Sequence, residues 1–316
     1  MKKCLVLGGA GFLGSSLVNS LLAAGHGVRV FDRATAIENL SVIEVSELVE
    51  YVSGDFTDSV DIEKALDGIE VVYHLISTTL PQSSNEDMQF DVNSNVISTL
   101  KLLELMVAKN IKRIIFSSSG GTVYGLPQTP MLDENHQTKP ICSYGITKLA
   151  IENYLYLFKR LYGLEPIIFR VSNPYGAGQR VDRPQGVIAA FIQKALTEQE
   201  ISIWGDGSVI RDYIYISDVA DAFVRAIDYT GGEILFNLGS GHGVSLNEIV
   251  ADLSLLIGRS LNVRYYPSRS FDVPCNILSV EKIWREFGWE AAISLHDGLA
   301  LTINWIKSET EKTFIL

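Results

Sequence analysis

A tyrosine and a lysine four residues apart lie on one face of a helix, and Tyr144-Gly145-Ile146-Thr147-Lys148 has that spacing. A free phenol has a pKa of about 10, so about one molecule in a thousand is ionised at neutral pH. A neighbouring ammonium and a cationic ligand both favour the phenolate. Bringing the pKa to about 7 requires roughly 4 kcal/mol, a plausible sum for two close cations in a shielded cleft. Tyr144 then takes a hydroxyl proton as hydride leaves the same carbon, with Lys148 as its partner. The same spacing also occurs on ordinary surface helices, so the pair acquires meaning from what precedes it.

Upstream, the apolar run 3–7 ends in Gly8-Gly9-Ala10-Gly11-Phe12-Leu13-Gly14, and an amphipathic stretch follows. Gly8 permits a tight turn. Gly11 lets backbone N–H groups approach a diphosphate, and Gly14 lets the helix that opens at Phe12 and Leu13 pack closely. The positive end of that helix then faces the anion. Asp32 follows the run Val28-Arg29-Val30-Phe31, 18 residues after Gly14. A carboxylate there hydrogen-bonds a ribose 2′-hydroxyl and repels a 2′-phosphate, which favours NAD; Arg33 beside it is the residue that would suit NADP. Asp55, in Gly54-Asp55-Phe56, either hydrogen-bonds the adenine or serves as a turn or cap residue. His74-Leu75-Ile76-Ser77 closes a further apolar run, where backbone faces the middle of the cofactor, and His74 reads as a packed strand residue. A third catalytic group, a hydroxyl that polarises the substrate oxygen, is expected from Ser117-Ser118-Ser119-Gly120-Gly121-Thr122-Val123-Tyr124-Gly125.

These residues need a frame. Apolar runs at 3–7, 28–31, 49–53, 70–75, 112–117 and 165–170 alternate with amphipathic stretches at 11–24, 59–67, 87–109 and 143–161. That alternation predicts an α/β fold: a Rossmann-type, doubly wound parallel sheet with helices on both faces. After 172 the pattern changes to turn-rich stretches at 173–186, 204–212 and 264–276. A smaller C-terminal α/β substrate lobe is expected over 173–316, with segments near 211–240 returning to a dinucleotide domain of residues 1–172.

Composition removes other classes. The 316 residues are 47% hydrophobic and carry a net charge of −11, with no basic stripe for nucleic acid. No apolar run reaches the roughly 18 residues of a membrane span. Cys4, Cys142 and Cys275 are scattered, which excludes a metal-ligand spacing and suits a reducing cytoplasm.

Together these motifs resemble the extended short-chain dehydrogenase/reductase family, and within it the NAD-dependent nucleotide-sugar epimerase/dehydratase group that includes UDP-glucose 4-epimerase. The resemblance also rests on Arg170-Val171-Ser172-Asn173-Pro174-Tyr175-Gly176, Gly205-Asp206-Gly207 with Arg211-Asp212-Tyr213, Asn237-Leu238-Gly239-Ser240-Gly241, and Arg269 with Asp272. It implies bound NAD, Tyr144 as acid/base and Lys148 as its partner on the nicotinamide ribose. Asn95 would shape the helix behind the site, with Ser117 and Val171 beside the cofactor. Thr79, Asn173, Gly186, Val187, Arg211, Arg269 and Asp272 would face the nucleotide sugar. The serine loop is one residue longer than the family's usual form. Counting from Tyr144 selects Ser119 as the catalytic hydroxyl, whereas counting from Tyr124 falls on Gly120; Thr122 is the reserve. Asn276 matches a position that borders the sugar's C2 substituent, or else it is a plain turn residue. The helices at 87–109 and 143–161 imply a homodimer.

The reaction that this resemblance implies is C4 epimerisation of a UDP-hexose or UDP-N-acetylhexosamine through a transient 4-keto sugar, as in polysaccharide biosynthesis. A 4,6-dehydratase carries an Asp-Glu pair where this chain has Gly120-Gly121, and a decarboxylase carries a glutamate in that loop. An NAD(P)H-dependent nucleotide-4-ketosugar reductase needs only the Tyr-Lys machinery and is the alternative. A non-catalytic dinucleotide sensor is the alternative of another class.

Overall fold

Apolar runs buried on both faces make parallel strands. Lys3–Leu7 (β1) is the plainest case, with Cys4 through Leu7 fully buried. The computed structural model describes residues 1–38, 43, 46–179, 186–268 and 273–314. After β1 come α1 (Phe12–Ala23), β2 (Gly27–Asp32), α2 (Ala34–Glu38), β3 (Val49–Ser53), α3 (Ser59–Ala65) and β4 (Val71–His74). Then α4 (Met88–Asp91) runs through a π-helix (Val92–Ile97) into α5 (Ser98–Ala108), followed by β5 (Arg113–Ser119), α6 (Ser143–Tyr162), β6 (Glu165–Val171) and β7 (Asn173–Tyr175). The rest comprises α7 (Val187–Leu196), β8 (Ile201–Trp204), β9 (Ile210–Tyr215), α8 (Ile216–Arg225), β10 (Leu235–Leu238) and β11 (Gly243–Ser245). It ends with α9 (Leu246–Ile257), β12 (Val263–Tyr266), β13 (Cys275–Asn276), α10 (Glu281–Phe287) and α11 (Leu295–Phe314).

Seven strands form one sheet in the order β10-β6-β5-β4-β1-β2-β3, and every pairing in it is parallel. The winding direction reverses between β1 and β4, which leaves a crevice at their carboxyl ends. One face of the sheet packs on α1 and α8 through Leu17, Val18, Leu21, Val219, Ala222 and Phe223. The other packs on α3, α5 and α6 through Ile62, Leu102, Met106, Ile151 and Leu155. This is the doubly wound Rossmann architecture read from the sequence.

A second layer carries the turn-rich half. β9 pairs with β11, β13 and β7, while β8 pairs with β12. Tyr175, Ile188, Phe191, Ile249 and Leu253 supply its core. Of residues 211–240, α8 packs on α1 and β10 extends the large sheet, whereas most of β9 lies within this range and belongs to the small sheet. The single helix expected over 87–109 is three segments. Asp91, Ser94, Asn95, Ser98 and Thr99 are polar yet at most 5% exposed; the first three hydrogen-bond Thr78 and Thr79, and Ser98 and Thr99 bond back to the Asn93 and Asn95 carbonyls where the helix widens into a π turn.

Candidate active site

Gly8 turns the chain at φ +85° and donates its N–H to Phe31, tying the end of β1 to β2. A Cβ on Gly14 would stand 2.1 Å from the Gly8 carbonyl oxygen, so only glycine lets α1 start against this turn. α1 has no side-chain cap and no acidic residue in its first turn, so its N-terminal N–H groups and positive dipole face the crevice. Asp32 closes β2 and accepts the Ala10 N–H at 3.1 Å, which fixes its carboxylate beside the glycine turn. From β4, Ile76 passes so near Gly8 that a Cβ there would lie 3.2 Å from its Cγ1. Gly8, Gly14, Asp32 and Ile76 thus meet at the start of α1, where the helix end suits a dinucleotide diphosphate.

Asp55 and Arg33 follow the ends of β3 and β2. The Asp55 carboxylate accepts the N–H and the hydroxyl of Thr57, both at 2.8 Å, and these bonds hold its pKa below the usual carboxylate value. It is a turn residue in this chain, and Asp58 caps α3. Arg33 is exposed. Phe56 is buried against His74, whose Nε2 meets the Thr99 hydroxyl at 2.9 Å. Burial pushes the His74 pKa down to about 3, so it is a neutral core residue.

α6 brings the Tyr-Lys pair to the crevice. Its N-terminus is capped from a distance: Ser84 accepts the Tyr144 N–H at 3.0 Å and Asn85 accepts the Ser143 N–H at 2.9 Å. Gly145 lets the helix seat on the serine loop, because a Cβ there would meet the Thr122 carbonyl oxygen at 2.8 Å. Beneath it, the fully buried Asp91 accepts the Thr79 and Ser143 hydroxyls, each at 2.6 Å, and the Asn95 amide at 2.8 Å. Asn95 in turn takes the Thr78 N–H at 3.0 Å, which binds the end of β4 to the π-helix. The Thr79 hydroxyl proton is thus directed inward to Asp91.

Lys148 donates to the Ser117 carbonyl at 2.8 Å, and its Nζ stands 5.6 Å from the Tyr144 ring centroid. Burial lowers the Lys148 pKa to about 8, opposed by the carboxylates of Glu152 and Asp91. Burial also raises the Tyr144 phenol above its usual range, with Cys142 and Asp91 acting the same way. In the chain alone the phenol is therefore held above its usual range by burial, and only one of the two expected cations, Lys148, is supplied by the protein. A nicotinamide cation bound beside the phenol would add the second favourable charge.

One helical turn beyond Lys148, Glu152 accepts the Ser118 hydroxyl and a 2.7 Å ion pair from Arg170, with both side chains at most 4% exposed. Lys148 and Glu152 thus hold adjacent residues of β5, just before Ser119. The spacing i, i+4, i+8 from Tyr144 was a signal for Glu152 that the sequence reading did not use. Ser84, Asn85 and Asp91 carried no comparable signal.

Past Ser119 the loop turns through Gly120 and Gly121, with the Thr122 and Val123 N–H groups bonded back to the Ser119 carbonyl. Thr122 Oγ1 is buried without a partner among the described residues. Asn276 is 2% exposed and donates to the Gly120 carbonyl at 3.1 Å, so it braces the catalytic loop from the second lobe. Val171 accepts the Gly120 N–H at 2.8 Å. Asn173 donates to the Asp212 carbonyl at 2.8 Å, and Arg211 is anchored on β9 by the Ile210 and Val273 carbonyls at 2.8 and 2.6 Å. The Asp212 carboxylate is buried in N–H groups of Ser240, Gly241 and Leu278, so the 237–241 motif is a structural nest. Gly186, at φ +94°, and Val187 open α7. Arg269 and Asp272 lie outside the described residues. Beside the Arg211 strand, an open cleft of about 830 Å³ is lined by residues including Trp204, Asp206, Ser208, Tyr265 and Tyr266. Among the described residues there is no group of side chains that would hold a metal ion, and no helix long and apolar enough to cross a membrane.

Comparison with known proteins points to one family. The model of the NAD dependent epimerase/dehydratase family matches residues 4–239. A UDP-glucose 4-epimerase of Mycolicibacterium smegmatis is 34% identical over 313 residues, 98% of this chain and 100% of that one. A dTDP-4-dehydro-6-deoxyglucose reductase of Escherichia coli is 33% identical over 310 residues, 96% of this chain and 97% of that one. The crystal structure of the Thermotoga maritima UDP-glucose 4-epimerase with UDP-glucose superposes with a TM-score of 0.90 at 34% identity, covering 98% of this chain and 99% of that one.

Proposed function

Because the chain belongs to the NAD dependent epimerase/dehydratase family, we propose that it is an enzyme that inverts C4 of a UDP-hexose or UDP-N-acetylhexosamine. The observation that supports this reading is Lys148, 5.6 Å from the Tyr144 ring centroid and bonded at 2.8 Å to Ser117, two residues before Ser119. In this division residues 1–172, with α8 and β10, hold the dinucleotide, and residues 173–316 hold the nucleotide sugar.

The cradle fits NAD. Gly8, Gly11 and Gly14 clear the backbone, the uncapped α1 meets the diphosphate, and Asp32 suits an unphosphorylated ribose. When bound, NAD supplies the hydride acceptor and returns the hydride to the sugar. Tyr144 removes the O4 proton and later gives it back. Lys148 holds positive charge beside the phenol and is itself oriented by the Ser117 carbonyl. Ser119 donates a hydrogen bond to O4, which carries the developing negative charge. Arg211 and Asn173 hold the diphosphate while the ketone turns over, and the open cleft beyond Arg211 takes the base.

Ile97, Ile146, Leu157 and Leu161 are each at least 40% exposed on the α5–α6 side, which supports a homodimer through that face. Light scattering at micromolar concentration tests it, and a monomeric mass rejects it. The three unpaired cysteines support a reducing cytoplasm, and polysaccharide synthesis is the setting that this chemistry suits.

Incubation of the purified protein with UDP-glucose or UDP-N-acetylglucosamine, without added cofactor, tests the activity. An isomeric product of unchanged mass, with NAD released on denaturation, is expected. The relative named as a reductase favours one second reading, reduction of a dTDP-4-keto-6-deoxy sugar. Turnover only with that sugar and added reduced cofactor would replace the epimerase reading.

A further inference from the structure

Gly120 and Gly121 are adjacent, and the fold requires only the first to be glycine. A Cβ on Gly120 would stand 2.5 Å from Leu278 Cδ1 and 3.0 Å from the Arg170 carbonyl oxygen. Its N–H is held by Val171 and its carbonyl by Asn276, so it cannot move aside. Gly121 has neither constraint. Its φ lies outside the left-handed region, and among the described residues a Cβ there would find only Ser119 Oγ at 3.9 Å and Asn173 Oδ1 at 4.0 Å. Both are ordinary van der Waals distances, so a side chain would fit the protein.

That side chain would fall between the hydroxyl assigned to O4 and the amide assigned to the diphosphate on C1. A hexose ring spans the same two points. We propose that Gly121 is a specificity-determining position: its bare backbone leaves room along one ring edge for a substituent larger than a hydroxyl. The sugars admitted therefore include, besides UDP-glucose, hexoses that carry an N-acetyl group or a carboxylate. This rests on the epimerase reading and names the substrate class that the site tolerates. It also assigns the extra residue of the serine loop a purpose, because Gly120 takes up the added length in packing and Gly121 faces the sugar.

The test compares the native protein with Gly121→Ala and Gly121→Val on UDP-glucose, UDP-N-acetylglucosamine and UDP-glucuronate, with bound NAD and the unfolding midpoint measured alongside. Gly121→Val should lower kcat/KM for at least one substituted sugar about tenfold or more relative to UDP-glucose, with Gly121→Ala between. Equal losses on all three sugars, or no loss, would overturn the inference while leaving the epimerase reading intact. A native protein inert on all three would overturn both. If the valine variant fails to fold, the smaller Gly121→Ala effect decides, since its methyl meets no atom closer than 3.9 Å.

Discussion

The Lys148 ammonium donates to the main-chain carbonyl of Ser117 at 2.8 Å, which locks α6 to β5 two residues before Ser119. That contact sits in a buried site, and burial holds the Lys148 pKa at about 8 rather than 10.5. The unfolded chain keeps this proton to about pH 10.5, whereas the native chain releases it near 8. Between those values the unfolded state binds more protons, so stability rises with pH by at most about 1.4 kcal/mol per unit. Above pH 9 the buried thiols of Cys4 and Cys142, and above pH 10 the buried tyrosines Tyr73 and Tyr144, all with raised pKa values, act in the opposite sense. Urea unfolding of the cofactor-free protein at pH 7, 8 and 9 should show the rise, and Lys148→Met should remove it. Parallel stability curves for the two proteins would contradict the assignment.

Ser119 and Thr122 both offer hydroxyls near Tyr144, but Thr122 Oγ1 is buried and unpartnered among the described residues. Thr122→Ala should therefore change kcat by less than about threefold, since that atom is closed off from solvent. Ser119→Ala should cost about 10²-fold or more, the usual loss for a donor to a developing oxyanion. Steady-state kinetics on UDP-glucose would separate them, and the reverse order would move the catalytic hydroxyl to Thr122.

Glu152 and Arg170 form an ion pair with both partners almost fully buried. Removing one charge strands the other, so Glu152→Gln should destabilise the fold by about 3–5 kcal/mol. Replacing both with methionine should cost less than Glu152→Gln alone. Denaturant midpoints test this, and additive losses would show that the two side chains are not coupled.

Asp32 accepts the Ala10 N–H from the glycine turn and presents its carboxylate at the end of β2. Asp32→Ser should weaken NAD by about tenfold and improve NADP relative to it, because the charge that repels a 2′-phosphate is gone. Competition binding of the two cofactors measures the ratio. An unchanged ratio would mean that another group reads the ribose.

The strands were legible because Cys4–Leu7 or Ile114–Phe116 have to be apolar on both sides when both sides are covered. Tyr144 and Lys148 were legible because four residues on a helix bring side chains together whatever the surroundings. The π-helix was not. Asp91, Asn95 and Thr99 look like a solvated helix face, and only the loops at 78–79 and the start of α6, far along the chain, make them a core. Nor was the commitment of Asp55 to Thr57, since an aspartate after a strand looks the same whether it turns to a ligand or to its own backbone.

The π-helix at Val92–Ile97 also separates two requirements that most helices join. A π turn holds about one residue more than an α turn of the same rise. Deleting one residue there would let α4 and α5 run on as a single regular helix, with the apolar side of α5 still aimed at the sheet. Asn95 would swing away from Thr78 and Asp91, and the floor beneath Tyr144 would come apart. Such a deletion should keep the circular dichroism of the parent and lose its turnover, so the one residue of length that the fold does not need is the one that the chemistry does.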